Sequence, residues 1–128
     1  MLRPGIPDVS DNIRVRSIVG RFLEHSRLFY FGNNGKEDMF IGSADWMYRN
    51  LSRRVEVLVP IKDSRLRHFL RDTVLNAYLK DNVNARELRA DGNYVRVKQV
   101  NGEKRFDAQL EFENKALNIV TESSPYIH

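Results

Sequence analysis

Apolar residues Val15, Ile18, Val19, Phe22 and Leu23 recur at helical spacing. With Ser10 or Asp11 as a cap, they predict an amphipathic helix that ends near Glu24 or His25. Arg14, Arg16 and Arg21 lie off its apolar stripe. Two short aromatic and aliphatic runs follow, RLFYF (27–31) and MFIG (39–42), with the turn-forming GNNGKED between them. That pattern predicts a hairpin with a longish loop. SADWMYRNLSRR (43–54) is polar and irregular, enough for one or two helical turns. VEVLVPI (55–61) is nearly continuous β-branched and apolar sequence, the mark of a strand buried on both faces and ended by Pro60. Leu66, Phe69, Leu70, Thr73, Val74, Ala77 and Tyr78 trace one face of the clearest helix, 64–80, capped by Asp63 or Ser64. Asp91-Gly92 between two strand-like runs in 85–97 is a second hairpin signal. A last helix is expected over 106–119, with Phe106, Leu110, Ala116 and Leu117 as its contacts and TESSPYIH fraying beyond it.

Helix, hairpin, buried strand and helix in that order make an α/β chain, with a mixed sheet flanked by helices. A strand buried on both faces needs two neighbours, and only the 27–42 hairpin is at hand. The chain therefore reads as the C-terminal piece of a larger domain. Its 128 residues suit one domain and one core. No apolar run approaches the ~20 residues of a membrane span, and MLRPGIPDVSDN has no apolar centre of the signal-peptide kind. There is no cysteine, which excludes disulfides and cysteine-held metals and is compatible with a reducing cytoplasm.

Charge narrows the partner class only a little. The net charge is +4, from 21 Lys+Arg against 17 Asp+Glu. Most of the cations are arginines, whose planar forks match phosphate and carboxylate. Both an anionic partner and a solvated basic surface satisfy this balance.

Two clusters could carry chemistry. His25, beside Ser26 and Arg27, stands where the predicted helix meets a strand. An imidazole there can serve phosphoryl chemistry as nucleophile, acid or base near neutral pH; equally, it can sit at a helix end and complement the dipole. His68 and His128 are far from it, and no ligand spacing for zinc exists. The second cluster is GSADWMYRNLSRRVE (42–56). Gly42 and Ser43 allow close backbone approach, Ser43 can donate to a phosphate oxygen, and Asp45 can orient a basic group or cap the turn. Arg49, Arg53 and Arg54 put three guanidinium groups within six residues, the kind of donors that charge on a transferring phosphoryl group needs. A surface loop anchored by Trp46 is the plainer alternative. GNNGKED lacks the ending of a P-loop and reads as a turn.

LRPGIPDVSDNIRVRSIVGRFLEHSRLFYFGNNG, MFIGSADWMYRNLSRRVEVLVPI and the DN-AR pattern of DNVNAR together resemble bacterial polyphosphate kinase, which moves phosphate between ATP and inorganic polyphosphate. The likeness covers roughly residues 2–97, leaving about 98–128 as a variable tail. It implies that 1–128 is one domain, the C-terminal part of the last of two phospholipase D-like catalytic domains. It implies a phosphorylated histidine in the preceding domain, with His25 contacting nucleotide phosphates. Asp45 then stands where the phospholipase D motif usually has Asn. Together with the donors read from the 42–56 cluster, the expected ATP- and phosphate-binding residues are His25, Ser43, Asp45, Arg49, Arg53 and Arg54. Mg2+ would be held mainly outside this segment, and no residue here is assigned as a metal ligand. Expected partners are ATP or ADP, inorganic polyphosphate, the other domains of the enzyme and further copies of the whole protein, with no nucleic acid. The resemblance implies a cytoplasmic enzyme, membrane association of the whole protein being left open. By itself the segment is expected to lack turnover. The usual His-x-Lys pattern is absent, since Arg27 follows His25 at that spacing. The rival reading is a polyanion-binding module using Arg14, Arg16, Arg49, Arg53 and Arg54 without catalysis.

Overall fold

The structure, a computed structural model, describes residues 2–43, 45, 48, 53 and 55–123. It is an α/β arrangement of two three-stranded antiparallel sheets with helices. The chain divides into two compact units, 23–76 and the pair of segments 1–22 with 77–128.

In the unit formed by 1–22 and 77–128, β1 (Arg16–Ile18) pairs antiparallel with β5 (Ala85–Leu88), and β5 pairs with β6 (Tyr94–Arg96). The helix expected from Ser10 to His25 is absent. Val15, Ser17 and Val19 alternate with Arg14, Arg16 and Ile18, so the stretch also carries a period of two, and β-branched residues suit it. Tertiary pairing decides between the periods: Leu88 N donates to the Val15 carbonyl at 3.0 Å and Val19 N to the Asn84 carbonyl at 3.2 Å. The last positions of the expected stripe are left outside, Leu23 being 87% exposed. Ser10 caps no helix. Its hydroxyl donates to the Arg3 carbonyl at 2.5 Å and accepts from Ile6 N at 3.1 Å, closing the Pro-Gly loop on itself.

The hairpin predicted around Asp91-Gly92 forms as β5 and β6, with Gly92 at φ +89 and Asp91 accepting from Asn93 N at 2.9 Å. The last helix begins later and runs further than expected, over Ala108–Ser123. Its buried positions are Ala108 and Gln109, whereas Leu110 and Leu117 are exposed. Phe112 instead meets Tyr78, ring centres 5.2 Å apart.

The centre of this unit is a carboxylate. Asp81 is fully buried. Its Oδ1 accepts from Val83 N at 3.0 Å, Asn84 N at 2.7 Å and Ala85 N at 3.0 Å, and its Oδ2 accepts from Ala108 N at 2.9 Å. One side chain thus closes the turn into β5 and caps the last helix. Asn82 does the same for the loop before that helix: it donates to the Lys104 carbonyl at 3.0 Å and accepts from Phe106 N at 2.8 Å.

In the unit 23–76, β2 (Leu28–Phe31) and β3 (Asp38–Gly42) form the expected hairpin, with Leu28 opposite Ile41 and Phe31 opposite Asp38. A 3-10 turn at Asn33–Gly35 joins them. β4 (Leu58–Pro60) adds to β3. It is neither long nor buried: three residues of 55–61 are strand, all exposed, and Val55 is 98% exposed. β4 is an edge of its sheet, with β3 as its neighbour, and burial on both faces needs elements the described residues do not supply. Pro60 is tolerated there because an edge strand need not donate on both sides.

The predicted helix 64–80 forms in three joined pieces: α1 (Ser64–His68), a π-helical turn (Phe69–Leu75) and α2 (Asn76–Lys80). Asp63 is its cap, accepting from Arg65 N at 2.8 Å and Leu66 N at 3.1 Å. Leu66 and Phe69 of the expected buried face are half exposed. The final helix, Ala108–Ser123, is α3. No helix among the described residues is long and apolar enough to cross a membrane.

Candidate functional site

Within the unit 23–76, three backbone links gather the ends of its strands. Gly42 N donates to the Arg27 carbonyl at 3.1 Å and Ser43 N to the Val57 carbonyl at 3.1 Å, while Val57 N donates to Ser43 Oγ at 3.3 Å. Residues 25–28, 41–43 and 57–59 thereby border one groove of about 560 Å³. Leu70 and Val74 of the π-helical turn form its apolar wall. Gly42 is required by strand pairing: a Cβ there would lie 2.5 Å from the Val57 carbonyl oxygen and 2.5 Å from Leu58 Cδ2.

Of the predicted residues, His25 and Ser43 line this groove. His25 is exposed and belongs to an irregular segment three residues before β2, so the helix-dipole role foreseen for it has no helix to act through. Asp45 stands behind the rim. Its carboxylate accepts from Arg27 Nε at 2.7 Å, and Arg27 Nη1 donates to the His25 carbonyl at 2.6 Å. The expectation that Asp45 orients a basic group is met by Arg27. The hydrogen bond to Asp45 raises the Arg27 pKa above its ordinary value, so the guanidinium is a fixed cation. Ser43 Oγ donates to Glu56 Oε2 at 2.5 Å, which commits the hydroxyl proton foreseen for a phosphate. Arg53 is exposed, its guanidinium 5.9 Å from the Tyr48 ring centre in a cation–π contact. Arg49, Arg54 and Trp46 lie outside the described residues.

Glu56 closes the 42–56 cluster, but its bond to Ser43 was not legible, because it is thirteen positions away and belongs to a run that reads as a buried strand. A second cluster was missed for the same reason. Tyr30 Oη donates to Glu37 Oε1 at 2.8 Å, Arg71 Nη1 pairs with the same oxygen, and Arg71 grips Asp72 through Nε at 2.7 Å and Nη2 at 3.0 Å. The Tyr30 hydrogen bond, reinforced by Arg71, lowers the Glu37 pKa, and the Arg71 hydrogen bond lowers that of Asp72. Tyr30 is pushed up by the bond to Glu37. This network ties the π-helical turn to the hairpin and so supports the groove wall. In the other unit, Arg16 is a structural cation: it donates to the carbonyls of Leu79 and, at 3.2 Å, Asp81 at the end of α2. It is unavailable for the surface role it had in the polyanion-module reading. Among the described residues no three His, Asp or Glu side chains gather as a metal site.

A family model described as polyphosphate kinase C-terminal domain 2 matches residues 1–109. A polyphosphate kinase of Synechocystis sp. is 49% identical over 121 residues, covering 94% of this chain and 16% of that protein. One of Xylella fastidiosa is 51% identical over 109 residues, 85% of this chain and 16% of the other. The crystal structure of polyphosphate kinase from Porphyromonas gingivalis superimposes with a TM-score of 0.78 at 39% identity, over 93% of this chain and 18% of that one. The chain thus spans 16% of the length of the first two curated relatives.

Proposed function

The chain belongs to the polyphosphate kinase C-terminal domain 2 family, and on that premise we propose that it supplies the phosphate-binding wall of the active site of a longer ATP:polyphosphate phosphotransferase. The observation that carries the reading is the convergence of His25 and Ser43 on one groove, with the Arg27 cation clamped by Asp45 at its rim. In the reaction, a histidine nitrogen outside this chain attacks the γ-phosphorus of ATP. The bond to the β-γ bridging oxygen breaks and ADP leaves. The phosphoryl group then passes to the terminal oxygen of polyphosphate.

His25 is the group in this chain that touches the transferring phosphate. Its exposed imidazole hydrogen-bonds a phosphate oxygen and delivers or withdraws a proton there. Asp45 keeps Arg27 charged and pointed, and Arg27 in turn holds the His25 backbone. Ser43 reaches a phosphate oxygen by exchanging its bond to Glu56. Arg49, Arg53 and Arg54 offset charge on the chain of phosphates. Mg2+ would neutralise phosphate charge when bound with the nucleotide. The groove does not fit it, since no carboxylate lines it, so no step is routed through a metal held here. The segment alone, lacking the nucleophile, does not turn over.

The test is a graft. This sequence, placed in the Porphyromonas gingivalis polyphosphate kinase in exchange for the matching segment, supports ATP-dependent polyphosphate growth. His25→Ala in the graft lowers the single-turnover transfer rate on the order of 10²–10⁴-fold without moving the melting temperature. An unchanged rate returns His25 to a surface role. A collapsed melting temperature with proportionate loss of activity makes it a structural residue.

A further inference from the structure

A second groove, of about 230 Å³, lies wholly within the unit formed by 1–22 and 77–128, lined by Asn82, Val83, Arg96, Val97, Gln99 and Arg105. No carboxylate lines it. Asn82 donates to the Lys104 carbonyl, and its Oδ1 accepts from Phe106 N and, at 3.4 Å, from Gln99 Nε2. Arg96 gives Nε and Nη2 to the Val83 carbonyl, at 3.2 and 2.8 Å, which holds the guanidinium plane in place and leaves Nη1 over. Arg105 is exposed and makes no hydrogen bond or ion pair with the described residues.

The neighbouring carboxylates are spent on the fold, Asp81 on four backbone N–H groups and Asp107 on Asn84, Gln109 N and Leu110 N, which leaves cations around the lining. Arg96 lies directly opposite Arg86 in the β5–β6 register, a like-charge cross-strand pair that costs stability. The residue across from Arg86 on its other side is Ser17, which brings no compensating charge. Residues 94–106 carry Arg96, Lys98, Lys104 and Arg105 against Glu103, whose carboxylate accepts from Val100 N at 3.2 Å. Arg96 and Arg105 are the two cations that line this acid-free groove, and an anion placed between them offsets their mutual repulsion.

We propose that this groove is a phosphate-oxyanion site that takes inorganic polyphosphate through Arg96 and Arg105, with Arg86 adding charge at its margin. Single-stranded nucleic acid needs aromatic platforms for its bases, and no aromatic side chain lines the groove. The choice of polyphosphate rests on the function proposed above. The oxyanion site itself rests on the geometry.

The experiment titrates fluorescently labelled polyphosphate into the 128-residue chain over a range of salt. Arg105→Gln breaks no bond of the fold. It weakens binding and lowers the slope of log affinity against log salt by about 0.7, the value for one lost contact on a single-stranded polyanion. Arg86→Gln weakens binding while raising the melting temperature, because it removes the repulsion with Arg96; a merely structural arginine would lower both. Unchanged affinity and slope in Arg105→Gln overturn the site. Equal affinity for a short single-stranded RNA of matched charge overturns the choice of anion. Either result, with the His25 graft still showing its transfer defect, leaves the proposed function standing.

Discussion

Asp81→Asn is the change that most directly tests how the unit built on β1, β5 and β6 holds together. The native carboxylate accepts four backbone N–H bonds, three on Oδ1 and one on Oδ2, in full burial. An amide keeps one acceptor oxygen. Placed with that oxygen toward Val83, Asn84 and Ala85, its NH2 meets the Ala108 N–H, donor against donor. Placed the other way, it abandons three bonds to save one. The first arrangement loses a single charge-assisted bond, worth roughly 1.5–3 kcal/mol, and buries an unsatisfied donor costing about 1–3 kcal/mol. These overlap, so about 2–4 kcal/mol is expected, a large share of the ~5–15 kcal/mol that stabilises a domain. With a urea m-value of about 2 kcal/mol/M, the unfolding midpoint falls by about 1–2 M. Asp81→Ala removes both acceptor oxygens, and with them four bonds, and leaves this unit unfolded, seen as lost amide protection over 83–88 and at Ala108. Equilibrium urea unfolding, with hydrogen exchange as the local readout, makes the measurement. An Asp81→Asn midpoint within error of the parent would refute the reasoning, since the buried Ala108 N–H cannot trade its acceptor for a donor at no cost.

Gly42→Ala drives a Cβ into the Val57 carbonyl and Leu58; the pair must separate, costing about 1–3 kcal/mol and widening the groove beside Ser43, measured by urea unfolding and by weakened nucleotide binding in the graft. The pH dependence follows from Glu37 and Asp72, both depressed by their hydrogen bonds. Depressed carboxylates contribute stability that is complete above their ordinary pKa of about 4 and is lost as pH falls through the lower folded values. The urea midpoint therefore drops on acidification below about pH 4, and Glu37→Gln starts lower at neutral pH but drops less; an equal drop in both would remove Glu37 from the acid response.

Local signals of short range were sufficient for several elements. The hairpins at 28–42 and 85–96 follow from turn residues whose φ is positive, Asn34, Gly35 and Gly92. The helical run 64–80 follows from its periodicity and the Asp63 cap, and the family from motifs that set His25 and Ser43 in order along the chain. What the sequence alone could not decide depends on partners far away in it. Residues 13–23 carry both a helical and a strand period, and β5, some seventy positions on, selects the strand. The apolar run 55–61 reads as buried, yet burial belongs to an assembly of elements, and β4 is an edge with β3 as its neighbour. In the sequence Asp81 stands just past the helix 64–80, as the first residue of DNVNAR. Only the folded chain converts it into a buried acceptor for four amides, because hydrogen bonds in a water-free interior are formed by whichever groups the tertiary structure brings within about 3 Å. The same holds for Glu56 on Ser43 and for Arg96 and Arg105 in one groove: composition supplies the charges, and three-dimensional placement decides which are spent on the fold and which are left over.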